Sequence, residues 1–185
     1  MTAQLSGLLH RIPPCRDPLS ADAYIIEGQE NCYVFDAGSS DAAYDAIRQL
    51  KKPVTLILSH FHRDHSANLS RLEGQVLGGA RTCKYVGRGI RGDAPLTIED
   101  GVHLLVQPCV SPHAPGCLIL TIDHTLTLLG DLTYAQPGAG AGQSVGMLRT
   151  LRAVDTRYFQ ESHGDAFAPV EKKAFLQALE ERYGL

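Results

Sequence analysis

No apolar run in the 185 residues reaches membrane-spanning length, for which about 20 predominantly apolar residues in succession are needed. The amino end carries no basic stretch followed by an apolar one, so the sequence reads as a cytoplasmic protein without a membrane partner. A basic excess is missing too. The formal net charge is -3, whereas proteins that bind nucleic acid backbones usually carry positive charge. Nucleic acid is therefore a disfavoured partner, and a small molecule is the expected substrate. Paired cysteines are also absent: Cys15, Cys32, Cys83, Cys109 and Cys117 form an odd set without close spacing. That pattern fits neither a disulfide framework nor a thiolate zinc site, and small buried residues are expected instead. Internal repeats and domain linkers do not stand out. With 44% apolar and 20% charged residues, one globular domain over 1–185 is the expectation.

What the chain does have is a dense ligand cluster. The run Ser59-His60-Phe61-His62-Arg63-Asp64-His65 places three imidazoles and a carboxylate within six residues. Immediately before it, Pro53–Leu58 is a short β-branched apolar run that reads as a buried strand. The cluster thus begins where a strand ends and a loop opens, a rigid edge suited to a site. Imidazole nitrogen and carboxylate oxygen suit zinc, iron or manganese better than calcium.

The rest of the chain alternates strands and helices. Leu5–Leu19 reads as a short strand and a loop broken by prolines. Ala23–Glu27 and Cys32–Asp36 read as a hairpin. Ser39-Ser40-Asp41 offers N-caps to a helix through about Leu50, with Ala43, Ile47 and Leu50 on one face. A short helix is expected over Ala67–Leu72 and a strand over Gln75–Leu77. Gly78–Asp93 is Gly-rich and basic, with Arg81, Lys84, Arg88 and Arg91. Strands follow at Gly101–Gln107, Leu118–Asp123 and His124–Leu129. Ala135–Gly146 reads as a Gly-rich loop with the composition of a flap beside Tyr134. A helix over Val145–Val154, a strand over Arg157–Gln160 and a helix over Pro169–Tyr183 complete the order, an α/β layer architecture.

A metal site built from one loop is usually incomplete. Three isolated candidates lie at strand ends: His113 in Ser-Pro-His-Ala-Pro-Gly, Asp131 after Leu-Leu-Gly, and His163 in Glu-Ser-His-Gly-Asp. His10, His103 and His124 lack that context and are assigned to structure.

With these residues in place, the chain resembles the metallo-β-lactamase-fold superfamily, which includes glyoxalase II-like hydrolases. The resemblance runs from about Ala23 to Gly164: Asp36-Ala37-Gly38, the His-x-His-x-Asp-His motif at His60–His65, His113, Gly130-Asp131, and His163-Gly164. It implies an αβ/βα four-layer sandwich with metals at one edge. It further implies that His60, His62 and His113 hold one divalent ion and that Asp64, His65 and His163 hold a second. Asp131 would bridge the two, and Asp36 would orient the ligand loop. Zinc is the first expectation for both ions, with iron and manganese compatible. Asp64 and Asp131 are the catalytic candidates. The implied reaction is hydrolysis of a small thioester, lactone or related ester by a hydroxide shared between two metals. The short tail after His163 has no room for the helical region with which glyoxalase II-like enzymes bind glutathione. Two alternatives stay open. One is a mononuclear iron enzyme like the persulfide dioxygenases, which would need His60, His113 and Asp131. The other is a phosphodiesterase or nuclease. A homo-oligomer that completes the pocket is compatible with the short chain.

Overall fold

Alternate residues along the central strands face two different apolar environments, and this alternation builds four layers. The computed structural model describes residues 7–135 and 140–184. Leu9–Ile12 (β1) leads into a small ribbon of Cys15–Arg16 (β2) and Leu19–Ser20 (β3). Ala23–Glu27 (β4) pairs antiparallel with β1 and with Cys32–Phe35 (β5). Val54–Ile57 (β6), Gln75–Gly78 (β7) and Ile90–Arg91 (β8) then extend this sheet in parallel. The second sheet contains Leu96–Glu99 (β9), His103–Cys109 (β10), Cys117–Ile122 (β11), Leu126–Gly130 (β12), Tyr158–Glu161 (β13) and Val170–Glu171 (β14), side by side in that order. Strands β12 and β13 are parallel; the other neighbours are antiparallel.

Tyr24, Ile26, Tyr33, Phe35 and Ile57 of the first sheet meet Leu104, Val106, Leu118, Leu120 and Leu128 of the second. The intervening positions Ile25, Val34, Leu56 and Leu58 face outward onto Ala43 and Ile47 of the helix Asp41–Arg48 (α1). On the far side, Cys117, Ile119, Leu129 and Phe159 pack on Met147, Leu148 and Leu151 of the helix Ala141–Ala153, and on Phe175 and Leu179 of the helix Lys172–Tyr183. Both faces of each sheet are therefore covered, which is why β4, β5, β11 and β12 are apolar runs rather than polar-apolar alternations. The result is the αβ/βα sandwich.

Several element boundaries differ from the sequence reading. The first helix is capped by Ser40, whose hydroxyl accepts from Ala43 N at 3.2 Å, and it ends at Arg48 rather than near Leu50. The short helix after the ligand cluster starts within it: Arg63–Ser66 (α2) is helical and Ala67–Ser70 follows as a 3-10 turn. The Gly78–Asp93 stretch contains a helix, Ala80–Val86 (α3), closed by Gly87 at φ 76, and then β8. Strand β9 was not anticipated. The helix expected at Val145 begins at Ala141 (α4), so half of the anticipated flap is helical. Residues 136–139 of that flap, like residues 5–6 of the first anticipated strand and residue 185, lie outside the described residues. The last helix, Lys172–Tyr183 (α5), is preceded by β14, so Pro169 lies before an edge strand rather than in a first helical turn.

One carboxylate joins the two sheets away from the site edge. Asp100, just after β9, accepts from Glu30 N, Asn31 N, Asn31 Nδ2 and the Tyr33 hydroxyl at 2.8–3.2 Å. Burial opposes its ionisation, but these four donors outweigh it and hold the carboxyl below the usual range. A depressed folded pKa stabilises the fold above the unfolded value of about 3.9, and that contribution is lost as pH falls below it. Asp100→Asn is expected to lower the melting temperature at pH 7 and to flatten its decline below about pH 4. Thermal melts across that range check this; an unchanged acid limb would rule the linkage out.

Candidate metal centre

The ligand candidates converge because five strand ends meet at one edge of the sandwich. Asp36 follows β5, His60 follows β6, Asp131 follows β12 and His163 follows β13, while His113 lies on the β10–β11 loop at the same edge. The edge is tied together by Leu118 N donating to Ser59 O at 2.8 Å and Ser162 N donating to Gly130 O at 3.0 Å.

Hydrogen bonds set which ring nitrogens are available. Asp36, buried at φ 61, accepts from Ser59 N at 2.8 Å through one carboxylate oxygen. Its other oxygen accepts from the Ser59 hydroxyl and from His65 Nδ1, both at 2.7 Å. With its proton given to Asp36, the Ser59 oxygen accepts from His60 Nδ1 at 3.0 Å. His113 Nδ1 donates to the Tyr134 carbonyl at 2.8 Å, which can only accept. His60, His65 and His113 are thus held with the proton on Nδ1 whenever they are neutral, and their Nε2 lone pairs face the centre.

Two groups result. His60 Nε2 and His62 Nδ1 lie 3.2 and 3.0 Å from His113 Nε2, close enough to share one cation. Asp64, His65, Asp131 and His163 form the other: His163 Nε2 is 3.1 Å from Asp64 Oδ2 and 3.4 Å from Asp131 Oδ1, and His65 Nε2 is 3.3 Å from Asp131 Oδ2. Asp131 also reaches the first group, 3.6 Å from His113 Nε2. All seven residues singled out in the sequence fall in these two groups. A divalent cation fits them. His65 Nε2 and Asp131 Oδ1 are buried without a hydrogen-bond partner, an arrangement that costs about 1–3 kcal/mol per group unless something satisfies it. Imidazole and carboxylate together are donors for zinc, iron or manganese.

The family model for the metallo-beta-lactamase superfamily matches residues 16–76, from β2 through the His60–His65 motif to β7. Among solved structures, the chain is similar to an archaeal metallo-beta-lactamase superfamily protein from Sulfolobus tokodaii, with 17% identity and a TM-score of 0.68 over 94% of this chain and 85% of that one. The chain is a metallo-β-lactamase-fold protein. It is also similar to the chemotaxis sensor ODP, described with a peroxy diiron species (16% identity, TM-score 0.69, 90% of this chain and 87% of that one). A B3 metallo-beta-lactamase with an active-site glutamic acid is similar at 10% identity and a TM-score of 0.67, over 89% and 82% of the two chains. No curated protein matches the sequence. Proteins of the same fold thus include one described as a metallo-beta-lactamase and one described with a diiron species.

The two groups of this metallo-β-lactamase-fold protein differ in charge. Burial, reinforced by neighbouring His65, drives His60 far below the ordinary imidazole value, and burial lowers His62 as well. Burial would raise Asp131, but His163 and His65 outweigh it and hold the carboxyl well below its usual range. Burial likewise works against a charged His65, yet Asp36 and Asp131 push it up to about 10. Asp131 and Asp64 hold His163 up at about 9. His60 and His62 are therefore held toward the neutral form, while the second group balances its carboxylates with protons that a cation would displace.

Other expectations resolve as follows. His103 and His124 stack on each other with centroids 4.5 Å apart and pair with Glu99 and Asp155, away from the site. Arg88 donates to the carbonyls of Leu69 and Leu72, Lys84 is exposed, and Arg63 is exposed beside Phe61. The Tyr134 hydroxyl donates to Ser162 O at 3.3 Å, so it braces the His163 loop. Cys32, Cys83, Cys109 and Cys117 are buried and Cys15 is half-buried. Burial pushes the Cys117 thiol up to about 12, which leaves it unreactive beside the site. Gly142-Gln143-Ser144-Val145-Gly146 spells the Gly-x-Ser-x-Gly pattern of a serine nucleophile. Here Ser144 is buried in the first turn of α4 rather than exposed on a sharp strand-to-helix turn, so it has none of the geometry that pattern needs. Sequence reasoning missed Ser59, whose hydroxyl links His60 to Asp36, and Asp22, which binds the His163 backbone. Ser59 had a signal in its position before the first histidine; Asp22 had none.

Proposed function

We propose that the chain is a divalent-metal-dependent hydrolase acting on a small thioester, lactone or related ester, with two ions held by the two side-chain groups. The supporting observation is that seven ligand atoms converge as one all-histidine group and one carboxylate-bearing group, with Asp131 within 3.6 Å of members of both. His60, His62 and His113 would hold one ion; Asp64, His65 and His163 the other; Asp131 would serve both. Two divalent ions held there would supply Lewis acidity and a water acidified toward neutral pH. The protein's own part is to fix the ligands. Asp36 and Ser59 lock the tautomers of His60 and His65, and the Tyr134 carbonyl locks His113. Asp64 and Asp131 supply the negative charge that offsets the cations. No side-chain nucleophile is required.

Elemental analysis of the purified protein, followed by a thioester and lactone panel, tests this. About two zinc ions per chain with turnover lost to a chelator and restored by zinc is the expected result. Two intact ion complements with no turnover on any ester would remove the hydrolase reading. A second reading, an iron oxidoreductase, draws on the likeness to a diiron protein and on a donor set that suits iron equally. Iron in place of zinc, with oxygen consumed in the presence of a persulfide, would select it.

A further inference from the structure

Consecutive residues on the approach to β4 hold both ends of the acidic ligand group. Ala21 N donates to Asp64 O at 3.0 Å. Asp22 Oδ2 accepts from His163 N at 2.7 Å. The side chains of those two partners then meet across the centre, His163 Nε2 being 3.1 Å from Asp64 Oδ2. Asp22 is fully buried, and its other oxygen accepts from Arg11 Nε of β1. Arg11 Nη2 in turn donates to Gly164 O. One ion pair thus grips the backbone N–H of His163 and the carbonyl of the next residue. His163 itself sits at φ 66, a conformation that costs a non-glycine residue about 1–2 kcal/mol. A loop in that state keeps its shape only if its surroundings over-determine it. A buried ion pair adds little net stability over an apolar substitute, so its distinctive contribution is a fixed geometry.

From this arrangement we infer that the Arg11–Asp22 pair is a positioning device: it sets the separation of His163 from Asp64 and thereby the affinity of the second cation position, while leaving the His60–His62–His113 position untouched. The inference rests on the two-ion reading above. Neither residue touches a ligand side chain; Asp22 acts through the His163 N–H and Arg11 through Asp22 and the Gly164 carbonyl. No member of the first group is among the partners of either side chain described here.

Stepwise zinc titration of the metal-free full chain against a competing chelator tests it, together with amide hydrogen exchange at His163 and, as a reference, at Phe159 in β13. Asp22→Ala should weaken the second binding step roughly ten- to hundredfold, the usual cost of losing a partner that orients a ligand. The first step should stay within about twofold, as for uncoupled sites. Exchange at His163 should quicken without a change at Phe159. Arg11→Lys keeps the charge beside Asp22 but loses the two-pronged reach to Gly164 O, and should show the same pattern at smaller amplitude. If Asp22→Ala does not fold, that variant decides the matter by the same readings. Equal weakening of both steps with faster exchange at Phe159 would mean a general structural role and would overturn the inference, as would two unchanged steps. Wild-type protein that takes up fewer than two ions would remove the two-ion reading itself, a failure visible before any variant is compared.

Discussion

Asp131→Ala is expected to lose the second ion and to cut turnover roughly a hundredfold or more, beyond the 10–100-fold that outer partners of a ligand usually cost. The magnitude follows from where the carboxylate sits. Its two oxygens lie 3.3 Å from His65, 3.4 Å from His163 and 3.6 Å from His113, so this carboxylate approaches ligands of both groups. Removing it takes away a ligand from each proposed position together with half the negative charge of the acidic group. His65 and His163 lose one of the two carboxylates that hold each of them up, Asp36 remaining for His65 and Asp64 for His163, so the variant's imidazoles should also be less charged near neutrality. Asp131→Asn keeps the shape and one oxygen donor but not the charge, and should fall between wild type and alanine. Metal content per chain and turnover, measured on the same preparations, check both variants. A full complement of two ions with full activity in the alanine variant would refute a bridging role.

The parts of this site that were legible in the sequence are those whose signals are local. A β-branched run ending at Leu58 followed by His60–His65 fixes a strand and its ligand-bearing exit within a dozen residues, and the β4–β5 hairpin and the Ser40 cap are equally local. His113, Asp131 and His163 could be picked out because each stands beside a turn at the end of an apolar strand. What local pattern could not give were contacts closed by the fold. Ser59 meets Asp36 across 23 residues, and Asp22 meets His163 across 141; Ser59 is marked only by its place before the first histidine, and nothing near Asp22 marks it. Glycine content misled in two places. Gly78–Asp93 hid α3, and Ala135–Gly146 hid the start of α4, whose Ser144 and Met147 are buried. In α4 burial against the second sheet outweighs the helix penalty of Gly142 and Gly146, about 1 kcal/mol each. Strands β8, β9 and β14 are edge strands of two to four residues with mostly exposed side chains. Such strands carry almost no periodic signal.

Gly130→Ala should be the most destabilising single change at this edge, about 2–4 kcal/mol from strain and overlap combined. Gly130 closes β12 at φ 59 immediately before Asp131, and a Cβ there would lie 2.6 Å from both Cβ and Oγ of Ser59. Backbone holds both residues, since Ser162 N donates to Gly130 O and Leu118 N donates to Ser59 O. The overlap therefore falls on the Ser59 hydroxyl, the link between His60 and Asp36. The variant should lose on the order of 10 °C in melting temperature for a chain of this length, and its His60 position should bind zinc more weakly. A double-mutant cycle with Ser59→Gly separates the two causes. Removing the Ser59 side chain relieves the overlap but not the left-handed strain, so Gly130→Ala should cost only about 1–2 kcal/mol in that background. Additive losses in the double variant would show that the side chain of Ser59 is not what excludes a Cβ at residue 130, and that the backbone conformation alone demands glycine.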